Sequence, residues 1–134
     1  MVAASVENRP LLLIVDDDAR SANLLARLLA VEGYDTEVTT DGAAALSRLT
    51  RNPVPEALIT DFHLPHADGL AVSRYARSRR SAMPIFLVTG DPQALALAMA
   101  TEPLPDPVVI VTKPLDYTDF LDRLTAAVAL ARAV

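Results

Sequence analysis

Three short apolar runs in this chain each end on charged residues, and any fold that buries all three has to decide where those ends go. Leu11-Leu12-Leu13-Ile14-Val15 leads into Asp16-Asp17-Asp18, Ala57-Leu58-Ile59-Thr60 into Asp61, and Val108-Val109-Ile110-Val111-Thr112 into Lys113-Pro114. Runs this short, rich in Val, Ile and Leu and closed by a turn signal, read as buried strands of a parallel sheet. In an open parallel sheet, ligands collect beyond the carboxyl ends of the strands. The acids and the lysine are therefore expected to share one pocket. Carboxylates gathered at one point repel each other unless a cation joins them. The pattern predicts a divalent metal site with a lysine beside it, a combination suited to handling phosphate.

A chain of 134 residues is one domain of ordinary size, able to bury a core. Its 51% hydrophobic content makes it globular rather than disordered. A net charge of −5 and a pI near 4.8 argue against nucleic acid as a direct partner. With no cysteine there is no disulfide framework, thiolate nucleophile or zinc–thiolate site. The longest apolar runs fall far short of a membrane span. The opening MVAASVENRP lacks a basic start followed by a long apolar core, so it does not read as a secretion signal, and a cytoplasmic location is expected by default. Residues 1–9 are expected to form a flexible tail, and residues 10–134 the domain.

Strand-like and helix-like segments alternate five times. The strands are expected near 11–16, 35–39, 56–60, 85–89 and 108–112. The helices are expected near 19–32, 42–51, 69–80, 92–100 and 117–132. Leu24, Leu25, Leu28 and Leu29 recur at helical spacing in the first, with Gly33 as its stop. Asp41 caps the second, and Asp116 caps the fifth with Asp119 three residues on. Pro103, Pro105 and Pro107 enforce an extended linker before the last strand. Strictly alternating units imply right-handed crossovers and a parallel sheet covered on both faces. Five of them fit a flavodoxin-like (βα)5 three-layer sandwich with strand order 2-1-3-4-5. That order makes strands one and three neighbours at the switch point, which is where Asp16, Asp17 and Asp61 would lie.

From residue 11 to about 132, the chain resembles the receiver domain of bacterial two-component response regulators. Four motifs carry the likeness: Leu12-Leu13-Ile14-Val15-Asp16-Asp17-Asp18, Asp61-Phe62-His63-Leu64-Pro65-His66-Ala67-Asp68-Gly69, Val88-Thr89-Gly90 and Lys113-Pro114-Leu115. Each is weak alone, but all four in order at the ends of expected strands are specific. Leu87-Val88-Thr89-Gly90-Asp91 is also similar to receivers attached to hybrid histidine kinases.

The resemblance implies a phosphoacceptor module of a phosphorelay. Asp61 would take a phosphoryl group from a histidine kinase or phosphotransfer protein, forming an acyl phosphate. Asp16 and Asp17 would hold Mg²⁺ with Asp61, and the backbone carbonyl of His63 would complete the set. Magnesium accepts a few carboxylates and keeps waters and phosphate oxygens as its other ligands. Lys113 would neutralise phosphate oxygens as a mobile point charge. Thr89 would turn its hydroxyl onto the phosphoryl group and report phosphorylation, and the Lys113–Pro114 bond would be cis. Asp18 and Asp41 are read instead as helix caps, Asp68-Gly69 as a turn and helix start, and His66 as a solvated loop histidine.

Three departures from the family pattern bear on the mechanism. Ile110 occupies the position where many receivers carry Tyr or Phe, so the usual threonine–aromatic coupling is in doubt. His63 and Asp91 occupy the two positions that border the path of the hydrolytic water, and are read equally as a shielding pair and as two solvated loop residues. Residues 92–101 contain no charged residue, so the charge-paired dimer of one transcription-factor class is not expected. No DNA-contacting function is expected, and the downstream protein partner is undefined. Two other readings stay open. One is a pseudo-receiver that docks proteins without being phosphorylated. The other, weaker, is a small Mg²⁺-dependent aspartyl phosphatase, disfavoured by His63 standing where a second acid is needed. Slow self-dephosphorylation is not counted as enzyme function.

Overall fold

A computed structural model describes residues 8–133; residues 1–7 of the expected tail, and Val134, lie outside the described residues. The strands are β1 (Leu11–Val15), β2 (Asp35–Thr39), β3 (Ala57–Asp61), β4 (Ile85–Thr89) and β5 (Val108–Thr112). The helices are α1 (Ala19–Val31), α2 (Gly42–Leu49), α3 (Gly69–Arg79), α4 (Pro92–Thr101) and α5 (Tyr117–Arg132). All four strand pairings are parallel, and the sheet order is β2-β1-β3-β4-β5. This is the flavodoxin-like arrangement expected from the alternation.

Side chains alternate between the sheet's two faces, and each face has its own core. Leu12, Ile14, Ile59, Phe86 and Val88 pack beneath α1 and α5. Leu13, Val15, Leu58, Ile85 and Leu87 pack beneath α2, α3 and α4. Phe86 and Phe120 meet edge to face, with ring centroids 5.4 Å apart.

Helix capping follows the expected chemistry. Asp18 accepts from the backbone N–H of Arg20 and Ser21, Asp41 from Ala44, Asp68 from Ala71, and Asp116 from Asp119. The leucine repeat of α1 is different from its expected use. Its inward face is Ala22, Ala26 and Leu29, while Leu24, Leu28 and Val31 are exposed. Small side chains let α1 lie close to the sheet, which turns part of the leucine stripe outward.

Candidate phosphoacceptor and metal site

The strand register assembles the site. β1 runs beside β3 with Val15 opposite Thr60, so the residues that follow, Asp16 and Asp61, sit side by side. β3 runs beside β4 with Asp61 opposite Val88, and β4 beside β5 with Thr89 opposite Thr112, one residue before Lys113. Alternation then sorts the side chains. Asp16, Asp61 and Lys113 share the parity of Ile14, Ile59 and Val111, all on the α1/α5 face. Thr89 shares the parity of Leu87, on the opposite face.

Lys113 Nζ lies 3.1 Å from Asp61 Oδ2. Asp16, Asp17 and Asp61 each offer a carboxylate oxygen, and these oxygens lie within 4.8 Å of one another. Asp61 is only 6% exposed, whereas Asp17 is at the surface. An all-oxygen set, charged, partly open and adjacent to an ammonium, fits a hard divalent cation that keeps some of its waters. Burial, and after it the neighbouring Asp16, pushes the Asp61 carboxyl up to about 7, against the pull of Lys113. Burial works against the charge on Lys113, but Asp61, Asp16 and Asp17 outweigh it and raise the ammonium above its ordinary range.

Backbone contacts fix the surrounding loops. The N–H of Lys113 donates to the Thr89 carbonyl at 2.9 Å, and the Lys113–Pro114 peptide is cis, as expected. Asp16 Oδ1 accepts from the N–H of Asp18 at 2.9 Å. A cleft of about 600 Å³ opens from Asp61 and Lys113 across Ile14 and Ile59 to Leu25 and Leu115.

Other candidates are placed differently from one another. Thr89 is 2% exposed, and its hydroxyl accepts from the N–H of Asp91 at 2.9 Å. Asp91 in turn caps α4 through the N–H of Ala94 at 3.1 Å. Asp91 and His63 form no ion pair among the described residues. His63 is exposed and rests against Phe62, with ring centroids 4.6 Å apart. His66 is an exposed loop residue, as expected. It adopts φ 70° and brings Nδ1 to 3.6 Å from the Asp41 carboxylate. Ile110 is 42% exposed, on the Thr89 side of the sheet.

Several arginines escaped the sequence reading because most of their partners are backbone carbonyls. Buried Arg48 pairs with Glu37 and donates to the carbonyls of Arg51 and Pro53. Arg77 on α3 donates to four carbonyls spread from Ser81 to Pro107. No side-chain spacing signals such contacts.

The sequence model of the family described as the response regulator receiver domain matches residues 12–125, and the chain belongs to that family. The response regulator MprA of Mycobacterium leprae (strain TN) is 40% identical over 78 residues, covering 58% of this chain and 34% of that protein. The sensor protein EvgS of Escherichia coli O157:H7 is 37% identical over 83 residues, covering 62% of this chain and 7% of that protein. The aligned region is thus about a third of one relative and less than a tenth of the other. Among solved structures, the signal receiver domain of an HD domain-containing protein from Pseudomonas fluorescens Pf-5 superposes with a TM-score of 0.82 at 26% identity, covering 99% of this chain and 96% of that one. A response regulator receiver protein from Sinorhizobium medicae WSM419 gives 0.81 at 23% identity, over 93% and 98% of the two chains, which speaks to the fold alone. The chain is a receiver domain of two-component signalling, a family of signalling modules.

Proposed function

We propose that Asp61 is the phosphoacceptor and that the module works by Mg²⁺-dependent phosphoryl transfer from a histidine kinase or histidine phosphotransfer protein. The carrying observation is the convergence of Asp16, Asp17 and Asp61 within 4.8 Å beside Lys113, 3.1 Å from Asp61. A carboxylate oxygen of Asp61 attacks phosphorus, the P–N bond of the donor phosphohistidine breaks, and the imidazole nitrogen keeps the electron pair. Asp16, Asp17 and Asp61, with the carbonyl of His63, would hold the cation, which when bound offsets the carboxylate charges and those of the phosphoryl oxygens. Lys113 carries a second positive charge to the same oxygens.

Thr89 is the residue suited to sense the product. Its hydroxyl holds the N–H of Asp91, the cap of α4. A rotation toward a phosphoryl group on Asp61 would give up that bond and disturb the start of α4. The exposed position of Ile110 supports an output that runs through α4 rather than through an aromatic on β5. Leu24, Leu28 and Val31 form an exposed apolar stripe along α1, the helix whose first turns line the cleft through Ser21 and Leu25, which suits docking of the donor protein. No helix among the described residues is long and apolar enough to cross a membrane, and a cytoplasmic setting accords with a histidine-kinase donor.

The test is intact-protein mass after incubation with acetyl phosphate, with and without Mg²⁺, beside Asp61→Asn. One added phosphoryl group that requires both the metal and Asp61 is the expected result. No adduct in any sample, together with no binding of beryllofluoride, would favour a docking pseudo-receiver instead.

A further inference from the structure

We propose that Gly42, with the Asp41–His66 contact beside it, is a positioning element for the His63 carbonyl assigned to the metal above. A helix that puts no side chain into the acid pocket would then set how well the pocket holds a divalent cation. The inference rests on the metal assignment proposed above.

The segment between β3 and α3, residues 62–68, is pinned at several points. At its far end the N–H of Gly69 donates to the Phe62 carbonyl at 2.7 Å. In its middle the N–H of Gly42, the first residue of α2, donates to the Pro65 carbonyl at 3.0 Å. The approach is close enough that a Cβ on Gly42 would lie 2.0 Å from the Ala67 carbonyl oxygen and 2.7 Å from its Cβ. The obstacle is backbone, not the tip of a flexible side chain, so the segment itself would have to move. Between these points His66 holds φ 70°, a region L-residues rarely adopt, with its imidazole 3.6 Å from Asp41. Asp41 simultaneously caps α2 through the N–H of Ala44 at 2.7 Å.

His63 lies between the anchors at Phe62 and Pro65. Its expected contribution is a carbonyl, and a carbonyl is aimed only by the path of the backbone. No side chain chosen at position 63 can correct that aim. The N-terminus of α2 is the body against which the path is shaped, so its fit to Pro65 and Ala67 is a property of the metal site. Groups that orient a ligand from outside the coordination shell tune metal affinity in this way.

The test is Mg²⁺ titration of the full chain, by calorimetry and amide chemical shifts, well below the melting temperature of every variant. Gly42→Ala is expected to weaken Mg²⁺ binding about tenfold, and to shift the amides of residues 62–68 in metal-free protein. His66→Gly keeps the positive φ accessible but removes the pair with Asp41, and is expected to weaken binding about threefold, the scale of an exposed pair. Arg132→Ala breaks the pair with Glu56 at the opposite end of β3. It is expected to lower the melting temperature and leave Mg²⁺ affinity unchanged, which separates positioning from general loss of stability. Wild-type affinity in both Gly42→Ala and His66→Gly would overturn the proposal, as would an equal loss in Arg132→Ala. If Gly42→Ala fails to fold, unchanged affinity in His66→Gly alone overturns it. If the wild-type chain takes up no Mg²⁺, the metal assignment falls and the positioning role with it. Wild-type binding with unaffected variants removes the positioning role alone.

Discussion

Two regions of the molecule, the α1/α5 layer and α4 with the β5 edge beside it, are held by different forces. In the first, α1 buries Ala22, Ala26 and Leu29, and α5 buries Phe120, Leu124 and Val128, all in one apolar cluster. In the second, α4 buries only Leu95, and Ile110 on β5 stays exposed. Arginines on α3 make up the difference. Arg77 donates to the carbonyls of Ser81, Met83, Pro105 and Pro107 at 3.0, 2.6, 3.2 and 2.8 Å. Arg74 reaches the Glu102 carbonyl at 3.1 Å and its carboxylate at 3.2 Å. Asp16, Asp61 and Lys113 stand over the packed layer, while Thr89 leads, through Asp91, into α4. Apolar packing fixes geometry collectively, whereas tethers of a few hydrogen bonds can open one at a time. The division suits the output proposed above, in which the acid pocket stays in place while α4 shifts.

Truncation of the packed layer is expected to have the largest effect. Phe120→Ala removes a fully buried ring and its contact with Phe86, and should cost about 3–5 kcal/mol in urea unfolding. A cost under about 1 kcal/mol would mean that the α1/α5 layer is no better packed than α4.

The next effect concerns the acid pocket and depends on pH. Burial and Asp16 raise the Asp61 carboxyl to about 7 in the folded, metal-free protein, while the unfolded chain titrates in the ordinary carboxylate range. Between those two values the native state binds more protons than the unfolded one, so this group's effect on stability worsens as pH rises. Above about 7 the penalty is complete. Asp61→Asn should therefore melt higher than wild type at about pH 8, with the difference shrinking toward about pH 5. A difference equal at both ends would show that charge on Asp61 is not the cause. Mg²⁺ should raise the melting temperature of wild type more than that of Asp61→Asn.

A smaller change is expected from Arg77→Ala, about 1–3 kcal/mol for the loss of charge-assisted bonds to carbonyls. Its hydrogen-exchange signature should be local, with faster exchange over residues 92–107 and little change in α1 or α5. Faster exchange across the whole chain would contradict a tethered α4. The smallest effect is Ile110→Ala, within about 1 kcal/mol because the side chain lies partly in solvent and outside the buried core. A loss of 2 kcal/mol or more, about that of a buried aliphatic, would show that Ile110 is covered in solution.

Much of this was legible in the residues themselves. Apolar runs ending in Asp16, Asp61 and Lys113 imply parallel strands whose carboxyl ends meet, because a strand buried on both faces has nowhere polar to go except its end. The helix caps Asp18, Asp41 and Asp116 were legible for a similar reason: a short acidic side chain satisfies backbone N–H groups within its own turn. Local chemistry and period decide such features, and both are written along the chain. The leucine stripe of α1 was less legible, since helical spacing says which residues share a side but not how closely the helix lies on the sheet. Small Ala22 and Ala26 decided that. The contacts of Arg77, the approach of Gly42 to Ala67 and the pair of His66 with Asp41 were invisible. Arg77's reach to Pro105 and Pro107 and the Gly42–Ala67 approach end on backbone atoms that every residue carries alike, and the His66–Asp41 contact joins side chains from separate loops. Spacing along a chain encodes strands, helices and their ends, whereas contacts between backbones exist only once those elements have packed.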